Sequence, residues 1–241
     1  APTTLGEVVG NSKWYPVLAE TQFSVNQTVL GLRELAKAVH RGQLFFPDDD
    51  LVVQYRVHSA LLSLTTGVER MGKLAIALDG WSEESGFLKV KNLSHHIDSI
   101  ATRMASLQIQ DQQNRGWIFG VHEVSEAQIY LDFMTKYASG QGRYEHLDSL
   151  DKGEETIGLY QQWMELVDIA EPEPALNRLV QLPQRIATVF HESQLDEVLY
   201  DPYLDNFLPM DLDPKSLSVA LDFFRIARWF GTTLSLISAR M

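Results

Sequence analysis

The chain has 241 residues, 45% of them hydrophobic, with a formal net charge of −12 and no cysteine. That composition supports a packed core and argues against wholesale disorder. The acidic balance excludes broad neutralisation of duplex phosphates, and the missing thiols exclude disulfides, thiolate nucleophiles, iron–sulfur clusters and cysteine-based zinc sites. The expectation is a cytoplasmic, acidic protein with no duplex DNA among its partners.

The first 23 residues read as an irregular arm anchored by Trp14 and Tyr15. APTTLGEVVG has neither the charged nor the apolar region of a signal peptide, so none is expected. No run approaches the roughly 18 apolar residues of a membrane span, so no membrane partner is expected either. A helix is predicted over residues 24–41, with Ser24 as its N-cap and Gly42 just past its end. Its inward stripe would be Val25, Val29, Leu32, Ala36 and Val39. Asp48, Asp49 and Asp50 then read as cap and first-turn acids, favoured by the macrodipole of the helix that follows.

That next helix, over residues 51–81, has the strongest pattern in the chain. Val57, Leu61, Leu64, Val68, Met71, Ala75 and Leu78 recur at spacings of four and three, one apolar stripe over roughly eight turns. Leu62, Thr66, Glu69, Lys73 and Ile76 recur on the opposite side. A helix apolar on two sides is covered on both, which predicts a central position. Glu69 and Lys73, one turn apart, form a structural charge pair.

Further helices are expected over 87–107, over 125–137 with Val124, Ala127, Leu131, Met134 and Ala138 inward, and over 154–170 with Tyr160, Trp163, Val167 and Ala170 inward. EPEP opens another that reaches about residue 200, kinked or restarted at Pro183. The last runs from Asp213-Pro214 to about residue 239. No alternating strand signal occurs. The fold class is therefore all-α: one domain over 1–241, a bundle of seven or eight mostly antiparallel helices around a long central one. The polar run QIQDQQNRG marks a point of subdivision near 108–122.

Residues 67–73, GVERMGK, match the glycine and lysine spacing of a phosphate-binding loop. Leu74 stands where that loop needs Ser or Thr, and amides inside a helix are already bonded to carbonyls. His122-Glu123 and His191-Glu192 lack the second histidine of a helical zinc motif. His95 and His96 are adjacent and diverge by about 100° on a helix. No metal and no cofactor are expected.

Residues 58–78, HSALLSLTTGVERMGKLAIAL, carry Glu69 and Lys73 one turn apart after a small-residue and apolar stretch. An Asn-Leu step follows at Asn92-Leu93, and an Arg-Tyr segment at Arg143-Tyr144. Together these resemble HEPN-type domains over roughly residues 50–150. The resemblance implies an antiparallel helical bundle. It also implies one of two functions: a non-enzymatic protein acting through a protein partner or self-association, or a metal-independent endoribonuclease acting on single-stranded RNA. Ribonucleases of that family pair Arg with His four to six residues on, at a dimer cleft, and the match here is Arg185 with His191. Ile186 departs from the polar residue expected beside the arginine, and the pair lies outside the region of resemblance. The acidic charge and the lack of a complete catalytic constellation favour the non-enzymatic reading. The last helix is apolar on several faces, which makes Phe223, Trp229 and Phe230 the candidate partner-binding residues.

Overall fold

A computed structural model describes residues 13–41, 50–107, 127–140, 158–171 and 214–240. Within them lie six α-helices: α1 Tyr15–Arg41, α2 Asp50–Asp79, α3 Ile97–Ala105, α4 Gln128–Ala138, α5 Leu159–Ile169 and α6 Pro214–Ser238. No strand occurs among the described residues. The predicted helices between 172 and 200, and Asp48 and Asp49, lie outside them.

Helix α1 begins well before Ser24. Pro16 sits in its first turn, where a missing N–H costs nothing, and Leu18 N donates to Trp14 O at 3.1 Å. Ser24 is thus an interior residue, and its hydroxyl donates to Thr21 O at 2.9 Å instead of capping. The inward face also differs from the apolar stripe. Ser24, Thr28, Gly31, Leu35 and Ala38 are buried; of the expected stripe Val39 is buried and Leu32 half-buried, while Val25, Val29 and Ala36 are exposed. The cause is how closely α1 approaches α2. A Cβ added to Gly31 would lie 2.7 Å from Leu64 Cα, and one on Gly67 would lie 2.5 Å from Thr28 N and 2.7 Å from Ser24 O. Only small residues fit such a seam, so packing overrides hydrophobic periodicity. Thr28 donates its hydroxyl to Ser24 O at 2.9 Å, which leaves no orphan hydroxyl in the dry interface.

Contact of 31 with 64, and of 28 with 67, makes the two helices antiparallel. Their far ends are clamped. Arg70 Nη1 reaches both carboxylate oxygens of Glu20 at 2.9 and 3.0 Å, and its guanidinium lies 4.5 Å from the centre of the Phe23 ring. Trp14 packs on Trp81 and Phe87, each with ring centres 5.4 Å apart.

Helix α2 packs against each of the other five described helices. Its stripe from Val57 to Leu78 is buried throughout. Its second side is covered only toward the C-terminus: Glu69 and Ile76 are buried, whereas Leu62 is exposed. The loop after α2 closes through paired backbone bonds between Ser82 and Gly86 at 3.2 and 2.9 Å, with Gly86 at φ 72°. Leu88 N then returns to Ala77 O at 3.3 Å.

The helix expected over 87–107 is shorter. Residues 91–93 form one 3-10 turn, and the regular helix starts at Ile97. Ser94, at φ 49° and ψ −142°, lies outside helical space and separates the two. Thr135 joins α3 to α4. Its hydroxyl accepts from Asp98 N at 2.9 Å and donates to Asp98 Oδ1 at 3.0 Å. It so satisfies one of the first-turn amides a helix leaves open. Phe223 of α6 is buried among Tyr130, Phe133 and Trp163, with ring centres 5.5 to 6.0 Å away. No described helix is long and apolar enough to cross a membrane.

Candidate functional site

The charged groups that the fold brings together lie where α2 meets the segment leading into α3. Glu69 points off the second side of α2, with its side chain 10% exposed. Lys73 Nζ donates to Glu69 Oε1 at 2.7 Å and is 20% exposed. A second group arrives from 26 residues away: His95 Nδ1 sits 3.0 Å from Glu69 Oε2 and 3.1 Å from Oε1. One buried carboxylate therefore serves an ammonium and an imidazole, which offsets much of its desolvation cost.

Local backbone geometry makes this meeting possible. A helix running through Ser94 would carry His95 around its axis, whereas the positive φ at Ser94 turns the chain so that the imidazole faces α2. Positive φ is costly for a residue with a Cβ, so the surroundings must over-determine it. The carboxylate accepts at Nδ1, which fixes Nδ1–H as the donor and leaves Nε2 on the far side of the ring. More than half of the His95 side chain, 55%, is open to solvent.

The glycines flanking this turn of α2 serve packing. Gly67 admits the α1 backbone, and a Cβ on Gly72 would meet Ile100, Phe230 and Met104. Phe223, Trp229 and Phe230 are buried in the chain's own core, which removes them as a surface for a partner. The aromatic richness of α6 closes the bundle over α2, α4 and α5. Arg185 and His191 lie outside the described residues, as do Arg143 and Tyr144. Sequence reasoning considered His95 only as a metal ligand and missed its pairing with Glu69. Among the described residues no cluster of three or more His, Asp or Glu could hold a metal ion.

A second polar contact links α4 to α6. Burial, together with a hydrogen bond to Asp222, pushes the Tyr130 phenol well above its ordinary range. Asp222 is itself paired with Arg225 Nη1 at 3.0 Å. No family model matches the chain, and no curated protein or solved structure matches it significantly.

Proposed function

We propose that the chain is a non-enzymatic HEPN-like helical protein that acts by self-association, through the outward face of α1 and not through α6. The observation that carries this reading is the pair Val25 and Val29, 41% and 47% exposed, one turn apart on a flank of α1 roughly a third of a turn round from the seam. Exposed Ala36 continues that flank, while exposed Phe23 and Leu30 lie on the other flank of the helix. Single exposed apolar residues are ordinary, but an aligned stripe marks an interaction surface.

Charge favours a second copy as the occupant. Each copy carries −12, so two copies repel at long range. Residues 21–32 hold no ionisable side chain, which leaves this stretch as a face where like-charged copies can approach. Two α1 faces meeting about a two-fold axis would bury the same valines in both copies, the isologous arrangement of cyclic dimers. The HEPN resemblance, whose ribonuclease members assemble their site at a dimer cleft, supports the same stoichiometry.

Sedimentation velocity over a concentration series tests this. The expected result is a dimer for the native chain, and a monomer with unchanged far-UV circular dichroism for Val25→Glu with Val29→Glu. A native chain still monomeric at about 100 μM, far above a micromolar dissociation constant, refutes it.

A further inference from the structure

We propose that the segment 88–96 is a lid over the second side of α2, that it opens as one unit, and that the contact of His95 with Glu69 is its latch. This goes beyond self-association and rests on different residues.

The connection from Asp79 to Ile97 is long for its content. It holds 17 residues and one 3-10 turn. Connections of more than about 12–15 residues without regular structure are uncommon in a compact domain, and the ordered ones are mostly functional, lids and binding loops among them. No residue from 80 to 96 is buried, whereas Leu78 before it and Ile97 after it are. Phe87, Val90 and Leu93 are half-buried against the core, and Leu88, Lys89, Ser94, His95 and His96 are exposed. A stretch with so little apolar burial opens at a lower free energy than the helices around it.

Its fastenings divide it in two. Residues 81–87 are pinned by Trp14, which packs on both Trp81 and Phe87, and by the paired backbone bonds of Ser82 with Gly86. Residues 88–96 return along α2. Leu88 N donates to Ala77 O at 3.3 Å, and His95 Nδ1 donates to Glu69 Oε2 at 3.0 Å. Ala77 and Glu69 are eight residues apart, about 12 Å of helix. The seven-residue step from Leu88 to His95 spans about 24 Å when fully extended. The segment is therefore slack, and it can lift without displacing a helix.

Two effects oppose each other in the closed lid. His95 donates to a carboxylate, and hydrogen bonds to ionised groups are the stronger ones. A neutral imidazole carries the Nδ1–H this needs, so the latch does not depend on a charged histidine. Against it stands Ser94, held at φ 49°. A residue with a Cβ leaves that torsion once it is released. Opening takes the imidazole off Glu69 and the backbone off Ala77. It joins that covered half of the second side of α2 to the half already open at Leu62. The lid thus sets how much of this side of α2 is accessible.

Hydrogen exchange of the full chain, read by nuclear magnetic resonance, tests this. The amides of Leu88, Leu93 and Ser94 are bonded to Ala77 O, Val90 O and Lys91 O. They should share one protection factor, well below those of Leu64 and Val68 in α2. His95→Ala removes a hydrogen bond to a charged group and should lower protection at all three about tenfold, with Leu64 and Val68 unchanged. His95 is exposed, and far-UV circular dichroism checks that the variant stays folded. Ser94→Gly relieves the torsion and should raise protection at Leu88 about threefold. Trypsin supplies a second readout, because Lys89 and Lys91 lie in the lid. Cleavage after them should quicken about tenfold in His95→Ala. Three results overturn the proposal: lid amides as well protected as Leu64, an effect of His95→Ala that stops at Ser94 without reaching Leu88, or cleavage after Lys89 and Lys91 at the native rate.

Discussion

Gly67→Ala should destabilise the fold even though alanine is the better helix former. The new Cβ would lie 2.5 Å from Thr28 N and 2.7 Å from Ser24 O. Unstrained contacts of this kind begin near 3.4 Å, so α1 must retreat by about 0.9 Å at this point. The Thr28 hydroxyl oxygen also stands in the way and can rotate, but these two atoms belong to the backbone, and no rotamer change moves them aside. Overpacking costs about 1–3 kcal/mol, and a rigid obstacle places this case near the upper end. Helix propensity returns about 1 kcal/mol. The net loss is then about 2 kcal/mol, and Gly31→Ala, facing Leu64 Cα and Cβ at 2.7 Å, should cost a similar amount. Gly231→Ala supplies the control. Its Cβ would meet only Met71 Sδ, at 3.9 Å, so the propensity gain of about 0.5–1 kcal/mol should appear unopposed. Urea unfolding followed by circular dichroism ranks the three. If Gly67→Ala proves as stable as Gly231→Ala, the helices do not approach as described and the account of the seam is wrong.

Two further outcomes follow from the polar contacts. Glu69→Gln and Lys73→Met should each cost about 1–3 kcal/mol, between the values for exposed and fully buried pairs, because both side chains retain some exposure and His95 remains beside the carboxylate. A double-mutant cycle in urea should show coupling of about 1 kcal/mol, and single losses under about 0.5 kcal/mol without coupling would mark an ordinary surface bridge. Tyr130 sets an alkaline limit. Its phenol is held protonated in the folded state to higher pH than in the unfolded chain, so its contribution is complete below about pH 10. Above that the unfolded state releases the proton first, and stability falls by up to about 1.4 kcal/mol per pH unit. Tyr130→Phe should flatten this decline in urea midpoints measured from about pH 9 to about pH 11.5. An unchanged slope would remove Tyr130 from the account.

The helical class was legible because α2, α4 and α5 bury the stripes their periodicity draws: Val57 to Leu78, Leu131 with Met134, and Trp163 with Val167. Helix α1 was misread for a physical reason. Hydrophobic periodicity reports which face leaves water when helices meet through side chains, whereas α1 meets α2 through its backbone. The Pro16 signal for an early start was present, and Ser24 concealed it by resembling a cap. The break at Ser94 carries no mark in the sequence, because nothing in KNLSHHI requires a positive φ at serine. Glu69 and Lys73 could be paired from spacing. His95 could not be joined to them, since 26 residues and that single torsion lie between. The aromatic residues of α6 suggested a surface because composition alone does not say whether an apolar helix faces a partner or its own core.

The two glycines of the seam also decide how α1 and α2 are aligned lengthwise. Leu64 enters the notch at Gly31, and Thr28 enters the notch at Gly67, so each helix carries one recess and one filler. A slip of one helical turn, about 5.4 Å, would set Leu64 against Leu35 or Gln27 and Gly67 against Leu32 or Ser24. Leu64 would then meet a residue carrying a side chain, and the axes would have to part. Apolar stripes tolerate such slips, because one leucine replaces another at little cost. Two offset notches do not, so register along this hairpin is fixed by exclusion at two points.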